Sequence, residues 1–199
     1  MTEKQWDKLL KIKTSGRDDS KSNTYNYPYE PTPYAVLERL ASSGYITKSN
    51  TVLDYGCGKG RVDFYLSYET KCNTIGIEYD ERIYEKAVEN QSSSGQFHRT
   101  HFILENAVNY QVESTVDRIY FFNPFSVDIL QKVMMRIMES YYQSPREIFL
   151  FFYYPSDEYT YYLLNVDEMV LHDEINCEDI FGGNNLREQI LVFKMKFSY

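Results

Sequence analysis

Thr51-Val52-Leu53-Asp54-Tyr55-Gly56-Cys57-Gly58-Lys59-Gly60-Arg61 is the stretch on which the fold turns. A short apolar, β-favouring run from Thr51 to Leu53 leads into an acid, and three glycines follow on alternate positions. Val62-Asp63-Phe64-Tyr65-Leu66 then begins a helix-compatible pattern. Strand, glycine turn and helix in this order form the entrance to a nucleotide-type site. Glycine permits positive φ there and lets a ligand approach the main chain without meeting a Cβ. The spacing discriminates between ligands. A dinucleotide turn reads Gly-x-Gly-x-x-Gly, because a pyrophosphate rests on the helix N-terminus. Here the spacing is Gly-x-Gly-x-Gly with Asp54 ahead of it. An acid at the strand end repels phosphate and attracts a cation, so the expected ligand has a positive end.

From Val52 to Gly60 the chain resembles the first motif of the class I S-adenosylmethionine-dependent methyltransferases, Val-Leu-Asp-x-Gly-Cys-Gly-x-Gly. The resemblance implies S-adenosyl-L-methionine as cofactor, a molecule with an ammonium and a sulfonium and no phosphate. It sets Asp54, Gly56, Gly58 and Gly60 against the methionine half and the sugar. Motifs carry the resemblance over residues 50–125; the remainder agrees by strand order alone.

Around this centre the chain alternates strand and helix patterns. Lys4 to Lys13 has Trp6, Leu9, Leu10 and Ile12 among lysines, a short amphipathic helix. Gly16 to Asn26 is polar and reads as a linker or arm. Tyr25 to Tyr34 holds Pro28, Pro31 and Pro33, which forbid a helix across it. A helix follows to Gly44, with Thr32 as its expected N-cap and Pro33 in its first turn. Further strands are expected at Thr74–Glu78, Thr100–Ile103, Arg118–Phe122, Glu147–Tyr154, Val166–Ile175 and Gln189–Phe197. Helices are expected at Asp80–Gln91, Val127–Tyr142 and Ser156–Leu164. The alternation predicts an α/β, Rossmann-like three-layer sandwich with a mostly parallel seven-stranded sheet and an antiparallel C-terminal edge hairpin. The domain reading is an N-terminal helix and arm over residues 1–33, acting as a lid, and a methyltransferase domain over 34–199.

Ligands in such sheets bind beyond the carboxyl ends of the strands, so the residues closing each strand are the candidates. Glu78 ends the second strand, where a carboxylate can accept from both ribose hydroxyls. Tyr79 is a candidate to stack on adenine, and Asp80 reads as the N-cap of the next helix. Glu105-Asn106-Ala107 stands where the resembled family commonly has Gly-Asp-Ala. By that resemblance the Asn106 carbonyl oxygen accepts from the adenine amino group and Ala107 leaves room for the ring. Phe122-Asn123-Pro124-Phe125 closes the fourth strand, at the place of the family's Asn/Asp-Pro-Pro-Tyr/Phe motif for methylating planar amino groups. The resemblance makes Asn123, Pro124 and Phe125 the catalytic candidates and leans the reading to N-methylation. The chain departs from that motif in having one proline for two. Thr32 and Tyr34 before the fold, and Tyr153 and Tyr154 after the fifth strand, are candidate acceptor or cofactor contacts.

Composition narrows the field. With 199 residues, 43% of them hydrophobic, the chain can bury one core. It has no apolar run long enough to span a membrane, and its charged start is unlike a secretory signal. Cys57, Cys72 and Cys177 are scattered and odd in number, which suggests a reducing, cytoplasmic setting. His98, His101 and His172 are too dispersed for a metal triad. A formal net charge of −8 disfavours duplex nucleic acid as partner and leaves a small-molecule or protein acceptor. The 20 tyrosines and 12 phenylalanines imply a core built largely of aromatic rings. The reading is a methyltransferase acting by direct in-line displacement. Its alternatives are a catalytically silent S-adenosylmethionine-binding protein and a NAD-dependent oxidoreductase, the latter opposed by the glycine spacing and Asp54.

Overall fold

The computed structural model describes residues 1–18, 29–95, 98–183 and 185–196. Its strands are β1 (Thr51–Tyr55), β2 (Asn73–Glu78), β3 (Thr100–Leu104), β4 (Arg118–Phe121), β5 (Phe149–Tyr153), β6 (Met169–Asn176) and β7 (Gln189–Met195). The α-helices are α1 (Glu3–Leu10), α2 (Tyr34–Ser42), α3 (Arg61–Thr70), α4 (Glu81–Ser94), α5 (Val127–Gln143) and α6 (Asp157–Leu164). The strands form one sheet in the order β3-β2-β1-β4-β5-β7-β6. Neighbours from β3 to β5 run parallel, and β7 is antiparallel to both β5 and β6. This is the expected Rossmann-like architecture with its edge hairpin.

Burial on both faces explains why the central strands are continuous apolar runs. On one side Trp6, Leu10, Val36, Leu37, Leu40, Phe64 and Leu66, from α1 to α3, pack on Val52, Tyr120, Phe151 and Val192. On the other, Leu130, Val133, Met134 and Ile137 of α5, with Tyr159 and Leu163 of α6, pack on Leu53, Ile119, Phe121 and Phe152. The aromatic excess goes into these layers: Phe121 stacks on Phe152 at 4.6 Å and on Tyr55 at 5.3 Å.

The N-terminal helix belongs to the packed body. Asp7 is the hub: its carboxylate accepts from the Thr14 amide at 3.0 Å, the Thr14 hydroxyl at 2.7 Å and the Tyr34 hydroxyl at 2.7 Å. Burial alone would raise the Asp7 carboxyl, yet those bonds and the Arg61 charge bring it below its ordinary value. Arg61, the first residue of α3, donates to Thr14 Oγ1 at 2.8 Å, to the Thr32 carbonyl at 3.2 Å and to Glu3. Its guanidinium lies over the Tyr34 ring, 4.4 Å from the centroid. A buried polar network thus ties α1 and the start of α2 to the helix that leaves the glycine turn.

Several local expectations change. Pro33, not Thr32, is the N-cap of α2, with no side-chain cap; Thr32 is buried and its hydroxyl pairs with that of Tyr120 at 3.0 Å. Asp80 does cap α4, accepting from the Arg82 amide at 3.1 Å. The β6–β7 connection includes a 3-10 turn, Glu178–Phe181, before Gly182 and Gly183. Most of the expected linker, with Tyr25, Tyr27 and Pro28 of the proline-rich segment, lies outside the described residues.

Candidate cofactor cleft

In the order β3-β2-β1-β4 the direction of strand succession reverses between β1 and β4, and a ligand crevice belongs at that point, beyond the carboxyl ends. A cleft open to solvent lies there, about 990 Å³ when its open mouth is included. Asp54, Gly56 and Cys57 form its floor, Glu78, Tyr79 and Asp80 one wall, Asn106 and Ala107 a second, and Phe122, Pro124 and Phe125 a third. The N-terminal segment closes it with Tyr29, Pro31 and Thr32.

The glycine turn is held from both sides. Its first amides, those of Gly56 and Cys57, donate to the Ile77 carbonyl at 2.9 and 3.1 Å, continuing the β1–β2 pairing into the turn. Gly56 has φ +74°, and a Cβ there would stand 2.5 Å from Pro124 Cβ. Gly58 has φ +58°, and a Cβ there would fall 2.2 Å from two atoms of the Tyr29 ring. Both positions therefore need glycine for backbone conformation and for space. The close approach expected of a ligand is in part made by the chain's own rings. The Tyr29 hydroxyl donates to the Thr14 carbonyl at 2.6 Å, and the Asp18 and Tyr29 backbones pair at 3.0 Å in both directions.

Glu78 is 6% exposed. Its Oε1 accepts the Tyr79 and Asp80 amides, both at 2.9 Å, while Oε2 accepts the Gly58 amide at 3.1 Å. Each carboxylate oxygen offers about two lone-pair sites, so Oε1 is filled and Oε2 has one left. The expected two-oxygen grip on a diol narrows to Oε2. In return Glu78 fixes the middle of the glycine turn. Burial raises its carboxyl, and the three amide bonds oppose that rise.

Asp54 is 3% exposed. It faces Asp63, 1% exposed, and the two carboxyls bond to each other. Two buried carboxylates side by side cannot both ionise cheaply, so they share a proton. Burial, then the neighbouring Glu78 charge, pushes Asp54 up to about 7 against the opposing bond from Asp63. Burial, then the Asp54 charge, holds Asp63 well above its ordinary value. The groups facing Asp54 from β2, β4 and the turn are Glu78, Tyr120 and Cys57, themselves acids or a hydroxyl. A buried acidic pair at the cleft floor fits a cationic ligand, and S-adenosylmethionine is cationic.

This pair gives a pH prediction. Both acids hold their protons longer folded than unfolded, so their contribution to stability is greatest below the ordinary 3.8 and is lost as pH rises through about 7. A bound cation reverses the balance by expelling the shared proton. Cofactor affinity is therefore expected to rise between pH 6 and 8, by up to about tenfold per unit. Calorimetry across that range measures it, and the Asp63→Asn variant should flatten the slope.

The other expected site residues divide. Tyr79, 41% exposed, stands at the rim, where a ring can stack on a ligand. Ala107 lines the cleft. Asn106 lines it too, but its Oδ1 accepts the Val108 amide at 3.2 Å, so it holds its own turn. Asn123 has φ +39°, its Nδ2 donates to the Tyr154 carbonyl and its Oδ1 accepts the Ser156 amide at 3.4 Å. Its amide clamps the end of β4 to the end of β5. Phe125 is 4% exposed, its ring edge-on to Tyr55 and Phe121 and its carbonyl accepting the Tyr159 hydroxyl at 2.6 Å. The half-buried ring at this rim is Phe122. Tyr34 does not reach the cleft: it is 1% exposed inside the α1–α3 layer. Tyr153 and Tyr154 line a second cavity beside the first.

Sequence reasoning overlooked Asp63, and it placed Tyr29 within the expected lid and Phe122 within the fourth-strand motif without giving either a role of its own. Asp63 had a signal, since on a 3.6-residue period it shares a face with Leu66 and Ser67, and all three are buried. Tyr29 had none beyond its place among prolines.

Comparison with known proteins agrees with this geometry. A family model described as a methyltransferase domain matches residues 46–155, more than half of the chain. A protein-lysine N-methyltransferase of Saccharolobus islandicus is 26% identical over 91 residues, 45% of this chain and 56% of that protein. The matched part thus spans little more than half of that relative's length. Among solved structures, an RNA methyltransferase of Salinibacter ruber in complex with S-adenosyl-L-homocysteine superposes with a TM-score of 0.58 at 15% identity, covering 85% of this chain and 96% of that one. A Streptococcus agalactiae protein of the NADB-Rossmann superfamily gives 0.62 at 18% identity over 86% of this chain and 71% of its own. At such identities the structural likenesses speak to the fold. With the matched region running from before β1 to the end of β5, and with an acid-floored glycine cleft inside it, the chain belongs to the methyltransferase-domain family, whose cofactor is S-adenosylmethionine.

Proposed function

We propose that this chain methylates an amine nitrogen on its acceptor. The observation that carries the reading is the cleft itself: a glycine turn held by Glu78, over the buried Asp54–Asp63 pair, walled by Pro124 and Phe122. S-adenosylmethionine, when bound, supplies an electrophilic methyl carbon on a sulfonium. Asp54 and Glu78 Oε2 are the anionic contacts this chain offers it, and Tyr79 offers a ring face at the rim. With the cofactor bound, an acceptor amine whose ammonium proton has first passed to water would take the methyl carbon, the carbon–sulfur electron pair would stay on sulfur, and the nitrogen's remaining surplus proton would pass to water. The protein's part is orientation and exclusion of solvent. Pro124, in contact distance of the glycine turn, sets how far an acceptor can advance.

The nitrogen preference is supported by the name of the Saccharolobus relative, a protein-lysine N-methyltransferase. The Asn-Pro-Phe turn supports it less, since the Asn123 amide is engaged with β5. Incubating the chain with methyl-labelled S-adenosylmethionine and paired probes tests the reading: a lysine peptide against its acetylated form, and a hydroxyl-only peptide. Label is expected in the free-amine probe alone. Cofactor binding without transfer to any probe would favour a silent binding protein.

The 29–33 segment acts in this reading as a strap over the turn, the lid expected of the N-terminal region. Deleting residues 1–33 would also strip Trp6 and Leu10 from the core and Glu3 and Asp7 from Arg61, so a point change is the cleaner probe. Tyr29→Ala uncovers Gly58 and is expected to weaken cofactor binding about 5- to 20-fold, the equivalent of about 1–2 kcal/mol, with little loss of folding. Unchanged affinity would remove the strap from the account.

A further inference from the structure

A second cavity of about 1240 Å³, open to solvent, adjoins the cofactor cleft and shares Glu30, Pro31 and Phe122 with it. Glu30, Pro31 and Phe122 thus border both spaces, and an acceptor seated in the second cavity lies beside the cofactor cleft. The remaining walls are aromatic. Tyr153 meets Phe122 at 4.7 Å between centroids and Tyr154 at 6.1 Å, and Phe181, 45% exposed, stands at the mouth. We infer that this cavity is the acceptor site and that it takes a flexible primary alkylamine, the side chain of a lysine, entering between Phe181 and Pro33. The inference rests on the methyl-transfer reading above.

The charges support a cation over an anion. Arg187 lines the cavity but is already engaged: its guanidinium lies 4.3 Å from the Tyr154 ring centroid, Nε donates to the Pro155 carbonyl at 3.1 Å and Nη2 to the Tyr154 carbonyl at 3.4 Å. It acts as a buttress for the wall. Arg17 pairs with Glu30 at 3.7 Å, both side chains more than half exposed, so Glu30 stands at the solvent side of the cavity. Glu188 is held in place by the Tyr153 hydroxyl at 2.7 Å. It brings a fixed carboxylate beside the aromatic faces. Ring faces and carboxylates together bind an ammonium better than either alone. An alkyl stem suits the aromatic and proline walls, and the charged head suits Glu188.

The same cavity is poorly furnished for an RNA base. Among the described residues its lining arginines are Arg17, paired with Glu30, and Arg187, seated on Tyr154, and the chain's net charge of −8 opposes polyanions.

The test uses the full chain with S-adenosylmethionine, an oligolysine peptide and an RNA oligomer. Glu188→Gln and Phe181→Ala are expected to raise KM for oligolysine about tenfold each, with kcat changed less than about twofold and cofactor affinity by calorimetry unchanged. KM should also rise with salt. If the cofactor binds and oligolysine is methylated, but both variants keep wild-type KM, the acceptor site lies elsewhere and the methyl-transfer reading stands. Label entering RNA in preference to oligolysine would overturn the lysine assignment. Absence of cofactor binding in the wild type would instead overturn the reading on which this site depends.

Discussion

Gly58→Val is expected to abolish productive cofactor binding while leaving most of the fold intact. Valine at φ +58° is strained in the backbone, and its Cβ falls 2.2 Å from the Tyr29 ring. The strap can swing aside to relieve the second clash, but nothing relieves the first without turning the 58 amide away from Glu78 Oε2, now 3.1 Å distant. Strain of this kind costs about 1–3 kcal/mol, roughly a 5- to 150-fold loss in affinity if it falls wholly on the bound form. Losing the strap and the Glu78 contact adds to it, so a loss of about 100-fold or more is expected. Calorimetric titration measures it, and circular dichroism checks that the chain remains folded. Gly58→Ala, without the branch, should lie between wild type and valine. Near-wild-type binding by both variants would mean that the turn does not touch the cofactor.

The second large effect is on stability. Arg61→Ala removes the cation that joins Glu3, Thr14 and the Thr32 carbonyl and lies within 3.8 Å of Asp7. The Arg61 side chain is 4% exposed and that of Asp7 12%. Removing one partner of a buried pair leaves an uncompensated charge and costs about 3–5 kcal/mol. Urea denaturation of the two proteins should show that loss. Arg61→Lys should recover only part of it, since an ammonium cannot reach three acceptors in different directions. The loss should also shrink in acid. Asp7 sits below its ordinary 3.8 in the fold, so the stability it brings is present above that value and disappears as pH falls through its folded value. A change under about 1 kcal/mol would mean that α1 is an appendage and not part of the body.

What the sequence made legible follows from how each feature is encoded. The strands and helices were readable because burial on both faces forces continuous apolar runs, as in Phe149–Tyr153, and because helix starts carry caps such as Asp80 and Ser156. The glycine turn, Asp54 and Glu78 were readable because turn conformation and strand-end position are local properties of the chain. The role of an amide side chain is not local. Asn123 and Asn106 each stood where an acceptor or adenine contact was expected, and in the structure each carries hydrogen bonds with neighbouring main chain. Tyr34 was drawn toward the cleft by proximity in sequence, whereas the Asp7 carboxylate draws it inward; Thr32 does line the cleft, its hydroxyl paired with that of Tyr120. The helical period places Asp63 on a buried face, but its pairing with Asp54 comes from tertiary packing. The second cavity escaped for the same reason, being assembled from the strap, the end of β4, the end of β5 and the β6–β7 connection.

The two acids that frame the glycine turn are the core of the account, and one titration addresses them together. Calorimetry of the wild-type chain with S-adenosylmethionine at pH 6, below the value of about 7 for Asp54, should give one binding event with release of protons, seen as a heat that varies with the buffer's ionisation enthalpy. Glu78→Ala should remove the event in a protein that remains folded. No heat from the wild type, or full binding by Glu78→Ala with no proton released, would contradict the claim that this acid-floored turn holds a cationic sulfur cofactor.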